Sequence, residues 1–239
     1  MNPRLSCVAL AFCAGLFVPS VSAQNRGVAT PASTRITDPK QHEYDGRSQY
    51  PFRDRAEYIL GELDLKSGDV VVDVGAGDGW WSERLSKEVG SYGVVHSAEV
   101  VERLVNQMKE RFADTPNVKP YLTGTDGTSL PENSVYMAFF SQVYHHLDAD
   151  GKVDYLKHLH DVVKPTGRIC IIEKVSEVST RTGDHGTKIT DLAKVAEEAG
   201  WVLVRYELMP KTYHFVAFFV QRELFPPEPR RGRRRRGGE

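Results

Sequence analysis

The chain has 239 residues, of which 40% are apolar and 26% charged, proportions that suit one globular domain with a conventional apolar core. Its 20 glycines and 13 prolines are too dispersed for a fibrous repeat, and three cysteines are too few for a disulfide scaffold. The net charge of −1 conceals an uneven distribution: with Arg4 and the six arginines of Arg230–Arg236 set aside, and Glu228 and Glu239 likewise, residues 24–225 hold 24 basic and 30 acidic groups. That acidic body argues against nucleic-acid binding through the fold itself.

The amino terminus reads as an export signal over residues 1–23. Arg4 precedes the uncharged, mostly apolar run Val8–Val18, and Val21-Ser22-Ala23 offers a small-x-small cleavage site after Ala23. The rival reading, an uncleaved anchor over Leu5–Ala23, is disfavoured by Pro19, Ser20 and Ser22. A periplasmic or secreted protein is expected, without a membrane span after cleavage. Cleavage removes Cys7 and Cys13, which leaves Cys170 alone within an apolar run, where it reads as core. Residues 24–43, rich in Thr, Ser, Pro, Gln and Asn, read as a flexible linker.

From residue 44 to 225 the pattern alternates short β-rich runs with longer amphipathic stretches, which predicts an α/β domain with a mostly parallel sheet. Tyr44–Phe52, with Arg47 and Tyr50, precedes a helix predicted over Arg53–Leu63. A strand over Val70–Val74, a helix over Trp80–Val89, a strand over Gly93–Ala98 and a helix over Val101–Phe112 follow. Further strands are expected at Val118–Leu122, Ser134–Phe140 and Gly167–Glu173, with a helix over Val153–Val163. After a polar loop from Ser176 to Gly186 comes a helix over Ile189–Ala199, ended by Gly200. The strands Trp201–Leu208 and Thr212–Gln221 are joined by only three residues, which forces them antiparallel. Residues 226–239 read as a low-complexity Pro/Arg/Gly tail that either solubilises the chain or contacts polyanions.

The most informative segment is Asp73-Val74-Gly75-Ala76-Gly77-Asp78-Gly79, where the first strand gives way to a helix. Ligands of open α/β sheets bind beyond the carboxyl ends of the strands, and glycines there let a ligand lie against backbone amides. The third glycine arrives one residue too early for a dinucleotide fingerprint, and the two carboxylates would repel a pyrophosphate while suiting an ammonium and a sulfonium. No Gly-Lys-Ser/Thr ending is present, which excludes a nucleoside-triphosphate loop. Glu99, twenty residues beyond Gly79 and directly after the second strand, stands where a carboxylate clamps both hydroxyls of a ribose.

On these motifs the chain resembles the class I S-adenosylmethionine-dependent methyltransferases from about Arg53 to Gln221. Their first motif is Asp-x-Gly-x-Gly-x-Gly after the first strand. Gly124-Thr125-Asp126, Leu130–Val135, Val162–Arg168 and the closing antiparallel pair are similar to the later landmarks of that family. Two features depart from it: Tyr136 stands where an acid is often found, and the turn before Leu130 is short.

The resemblance implies a Rossmann-like sheet of seven strands, with S-adenosylmethionine as cofactor. It implies a cofactor site of Asp73, Gly75, Gly77, Gly79, Glu99, Asp126 near the adenine, and Gln142 after the fourth strand. The reaction expected is methyl transfer to a small-molecule or protein acceptor, with no specific nucleic-acid partner. A non-catalytic exported binding protein on the same fold is the alternative, and a dehydrogenase the weaker enzymatic one.

Methyl transfer is an in-line displacement that needs a base only where the acceptor starts protonated. His145 or His146, in Ser141–His146 after the fourth strand, is the candidate base, since histidine exchanges protons near neutrality. Glu173, Lys174 and the loop Arg181–His185 are candidates for the acceptor pocket. Five histidines in this half lack Cys-pair or His-Glu-x-x-His spacing, so no metal site is expected.

Overall fold

A computed structural model describes residues 51–176, 186–209 and 212–225. The expected export signal, the linker, Arg47 and Tyr50, the loop Arg181–His185 and the arginine tail lie outside the described residues.

Seven strands form one sheet: β1 Val70–Val74, β2 Val94–Glu99, β3 Val118–Leu122, β4 Val135–Ser141, β5 Val163–Lys174, β6 Trp201–Met209 and β7 His214–Gln221. Their spatial order is β3-β2-β1-β4-β5-β7-β6. The first five strands pair in parallel, whereas β7 runs antiparallel between β5 and β6. The helices are α1 Ala56–Leu63, α2 Trp80–Val89, α3 Glu102–Arg111, α4 Lys152–Val162 and α5 Ile189–Glu198.

Strand residues alternate between faces, so neighbours in β4 and β5 feed different cores. Phe140 and Ile171 join Leu156 of α4, Leu192 of α5 and Trp201 on one face. Phe139 and Ile172 join Leu60 of α1 with Trp81 and Leu85 of α2 on the other. Burial on both faces explains why β4 and the Ile169–Ile172 stretch of β5 are unbroken apolar runs rather than alternating ones. Cys170 is fully buried in the second core, and burial pushes its thiol pKa far up, so it is inert packing.

Most boundaries fall within a residue or so of the sequence reading, and three larger differences have a local cause. The first helix is preceded by a 3-10 turn, Pro51–Arg55. β5 begins at Val163, paired with Val135, before an irregularity that ends at Met137 and Arg168. Pro165, which cannot donate to a ladder, falls in that irregular stretch, and a Cβ on Gly167 would lie 2.4 Å from the Tyr136 carbonyl oxygen. β7 starts at His214, because the Thr212 hydroxyl donates to the Met209 carbonyl oxygen at 2.6 Å and so belongs to the turn. Among the described residues no helix is long and apolar enough to cross a membrane.

β2 and β3 lie on one side of β1 while β4 and β5 lie on the other. The crevice at the carboxyl ends of β1 and β4 is therefore the point where connections diverge, the place at which such sheets bind ligands.

Candidate active site

The segment after β1 is built from three glycines in the left-handed region, with φ of +65° at Gly75, +59° at Gly77 and +78° at Gly79. Two of them are also required by close packing. A Cβ on Gly75 would lie 2.6 Å from the Val143 side chain, and one on Gly79 would lie 2.5 Å from the Phe112 ring. Gly77 differs: nothing stands within 4 Å of where its Cβ would be, so this position faces open space.

Glu99, 5% exposed, closes the corner from β2. Its Oε2 accepts the Gly77 amide at 2.8 Å, and its Oε1 accepts the amides of Val100 at 2.9 Å and Val101 at 3.0 Å. The amide of Ala76 donates to the Ala98 carbonyl oxygen, which fixes the loop to the end of β2. The result is a backbone cradle with a carboxylate at one wall and room above Gly77. This donor and acceptor set fits the ribose and methionine portions of S-adenosylmethionine.

Asp73 occupies a different place from the one its motif position suggests. It is 2% exposed and turned inward, where its Oδ2 accepts the Ser82 hydroxyl at 2.6 Å. The Ser82 oxygen in turn accepts the Ser97 hydroxyl at 2.8 Å. Burial, reinforced by the charges of Glu99 and Asp78, pushes the Asp73 carboxyl pKa up to about 7. Asp73 thus ties β1 to α2 and β2 beneath the corner, and the acid on the outer side is the exposed Asp78. Asp126 is exposed on the loop after β3, next to Gly124, with no hydrogen bond in the described set that joins it to the glycine corner.

The loop after β4 meets the corner directly. Ser141 accepts the Trp81 indole N–H at 2.8 Å, and Val143 packs on Gly75. Between them Gln142 holds φ +60°, a conformation that costs a non-glycine residue on the order of 1 kcal/mol. Its amide donates to the Ile172 carbonyl oxygen at 2.9 Å, so β5 holds the strained residue in place. His145 then lies against β5: its Nδ1 is 2.8 Å from Glu173 Oε2, and its amide donates to Glu173 Oε1 at 3.3 Å. Glu173 is fully buried, whereas His146 is exposed with its ring 3.9 Å from that of His145.

Sequence reasoning missed two contributors. His214, 7% exposed, is the register partner of Lys174, and its ring lies tilted against that of Phe52 with centroids 4.7 Å apart. Burial pushes its pKa down, partly offset by hydrogen bonding to Thr212. Its signal was available in the antiparallel return, since the first residue of β7 must lie beside the last of β5. The second is Trp80, whose ring carries the Arg84 guanidinium at 3.4 Å and that of Arg53 at 4.6 Å. Arg53 thereby brings the Pro51–Arg55 turn over the start of α2, while Phe52 is buried in the core.

Residues 71–167 match the family model described as a methyltransferase domain. A demethylmenaquinone methyltransferase of Staphylococcus aureus strain MRSA252 is 32% identical over 120 residues, covering 48% of this chain and 47% of that protein. The chain thus spans about half the length of the curated relatives it matches. Among solved structures, an S-adenosylmethionine-dependent methyltransferase from Aquifex aeolicus is 27% identical with a TM-score of 0.63, covering 76% of this chain and 93% of that one. A TehB-like methyltransferase from Corynebacterium glutamicum, 19% identical with a TM-score of 0.55 over 71% of this chain and 94% of that one, shares the fold. By its glycine motif, its strand order and these matches, residues 71–167 are a methyltransferase domain on the class I S-adenosylmethionine-dependent methyltransferase fold, for which S-adenosylmethionine is the cofactor.

Proposed function

We propose that the protein is an enzyme that transfers a methyl group from S-adenosylmethionine to a small-molecule or protein acceptor outside the cytosol. The observation that carries this reading is the glycine corner: three left-handed glycines, open space above Gly77, and the Glu99 carboxylate on the adjoining strand. When bound, the cofactor supplies a methyl group activated by a positively charged sulfur.

In this reading the backbone of residues 75–79 cradles the cofactor and Glu99 accepts hydrogen bonds from its ribose. Because Glu99 already accepts three amides, ribose binding shares or displaces one of them, which couples sugar recognition to the shape of the loop. Asp126 is assigned to the adenine end, and Gln142 to the edge between cofactor and acceptor. The exposed Asp78 supplies negative charge for the ammonium. Asp73 supports the corner from below and makes no direct contact. Positioning of the acceptor against the methyl group supplies the bulk of the acceleration.

Export rests on residues 1–23 alone. Radiolabelled S-adenosylmethionine incubated with the protein and cell extract tests the enzymatic reading, and demethylmenaquinone, named in the relatives, is included among the acceptors. Transfer of label to a component supports it; binding without transfer to any component favours a non-catalytic binding protein. Fractionation with amino-terminal sequencing tests location: a mature chain that begins at Gln24 outside the cytosol is expected, and an intact Met1 on a cytosolic protein contradicts it.

A further inference from the structure

We propose that His158 is a positioning residue for the cofactor: its neutral ring holds the loop that carries Asp126, and protonation of that ring releases one end of the loop and weakens cofactor binding below neutrality. This deepens the methyl-transfer reading and rests on it.

The loop of residues 123–128 follows β3 and is pinned at both ends. At its start the Thr123 amide donates to the Glu99 carbonyl oxygen at 2.9 Å, which joins it to the residue assigned to the ribose. Within it the Thr123 hydroxyl donates to the Gly127 carbonyl oxygen at 2.7 Å. At its end lies Thr128, fully buried, with both backbone polar groups committed to side chains of other elements. Its carbonyl oxygen accepts the hydroxyl of Tyr121 from β3 at 2.6 Å, and its amide donates to Nε2 of His158 from α4 at 2.9 Å. Gly127 lies against the same ring, where a Cβ would come within 2.9 Å of Nε2. The next residue, Ser129, holds φ +55°, a conformation that a non-glycine side chain keeps only where its surroundings impose it. Asp126 stands between the two pins, its Oδ1 only 2.6 Å from where a Cβ on Gly124 would be.

An amide N–H can only donate, so Nε2 presents its lone pair and the proton of the neutral ring sits on Nδ1. The bond therefore exists in one protonation state only. An imidazolium carries protons on both nitrogens, which sets N–H against N–H at Thr128. The Thr128 hydroxyl, 3.0 Å from Nε2, can accept from the charged ring, so the half-buried histidine keeps a partner while the buried amide loses its own. Movement of the loop end relieves that loss and carries Asp126 away from the adenine. The titratable and charged groups around the ring are Asp126 of the loop, Tyr121 of β3, Tyr155 on α4 with its ring 6.4 Å away, and, a turn along the helix, Asp161 and the Asp154–Lys157 pair. Burial pushes the phenol pKa values of Tyr121 and Tyr155 well up, so both stay neutral across the range in which histidine titrates.

The test titrates the full chain, His158→Gln and His158→Leu with S-adenosylhomocysteine by calorimetry at about pH 8 and about pH 5.5, a span over which histidine changes charge. Glutamine offers a side-chain oxygen acceptor that does not titrate, and leucine offers none. At the higher pH, His158→Gln is expected to bind within about two-fold of the parent and His158→Leu about ten-fold more weakly. On acidification the parent is expected to lose about ten-fold more affinity than His158→Gln. Asp73, whose carboxyl also titrates near neutrality, is common to both and cancels in that comparison. Nitrogen NMR of the 15N-histidine-labelled parent at the higher pH is expected to show a proton on Nδ1 of His158, identified by the signal missing from His158→Gln. Where His158→Leu does not fold, the acid losses of the parent and His158→Gln carry the test.

A proton on Nε2 of the parent at the higher pH, equal acid losses in the parent and His158→Gln, or parental affinity in a folded His158→Leu would overturn the inference. Absence of S-adenosylhomocysteine binding in the parent and both variants at either pH, with the Nδ1 tautomer intact, would instead remove the methyl-transfer reading on which it rests.

Discussion

The two halves of the crevice are made of different material. The β1–β2 side is built of backbone: left-handed glycines, peptide amides and one carboxylate that binds them. At the β4–β5–β7 side the material is side chains: His145 against the buried Glu173, and Lys174 in register with His214. A cofactor common to a whole family can be held by main-chain geometry, which constrains sequence tightly. An acceptor particular to one enzyme is met by side chains, which constrain it loosely.

The contrast is broken most severely at the glycines. Gly75→Arg would drive a side chain into Val143 and the β4 loop, and Gly77→Asn fills the open space with a residue that tolerates the left-handed conformation. Both are expected to abolish binding of S-adenosylmethionine in calorimetry. Gly77→Asn should keep its thermal midpoint within a few degrees of the parent, which separates occlusion from misfolding.

The next effect concerns the acid beneath the corner. The folded-state pKa of Asp73, about 7, lies above the ordinary carboxyl value of 3.8, so its contribution to stability is fully present below about pH 4 and is lost as pH rises to 7. Asp73→Asn keeps an acceptor for Ser82 and should remove that decline, worth up to about 4 kcal/mol across the window. Urea unfolding at pH 4, 6 and 8 checks it, and parallel pH curves for parent and variant would contradict the account.

Glu99→Ala is expected to weaken S-adenosylmethionine binding by about 1.5 to 3 kcal/mol, the usual worth of hydrogen bonds to a charged group. Unchanged affinity would remove Glu99 from the ribose site. The smallest effect is expected at Trp80→Ala, which removes the ring against which the Arg84 and Arg53 guanidinium groups lie. Loss of such stacking costs about 0.5 to 1 kcal/mol of stability, measurable by thermal unfolding.

The same contrast explains what could be read from sequence. β1, the glycine run and Glu99 were legible because a strand, a tight turn and an acid at fixed spacing leave few alternatives. The antiparallel β6–β7 pair followed from the shortness of its connection. The inward turn of Asp73 was not legible, since it depends on Ser82 and Ser97 from two other elements. Nor was the pairing of His145 with Glu173, which are 28 residues apart and meet only because β4 and β5 are neighbours in parallel register. His214 reaches the same edge only through the reversed direction of β7. β5 began earlier than expected because proline and glycine, which break regular pairing, were accommodated at an irregularity instead of ending the strand.

The most direct test of the central claim is calorimetric titration of the parent chain and Gly77→Asn with S-adenosylmethionine, S-adenosylhomocysteine and NAD. Binding of the first two to the parent at about micromolar Kd, roughly −8 kcal/mol, is expected, with no heat from NAD and none from any ligand in the variant. Equal binding by parent and variant, or binding of NAD in place of the other two, would contradict the assignment of the glycine corner.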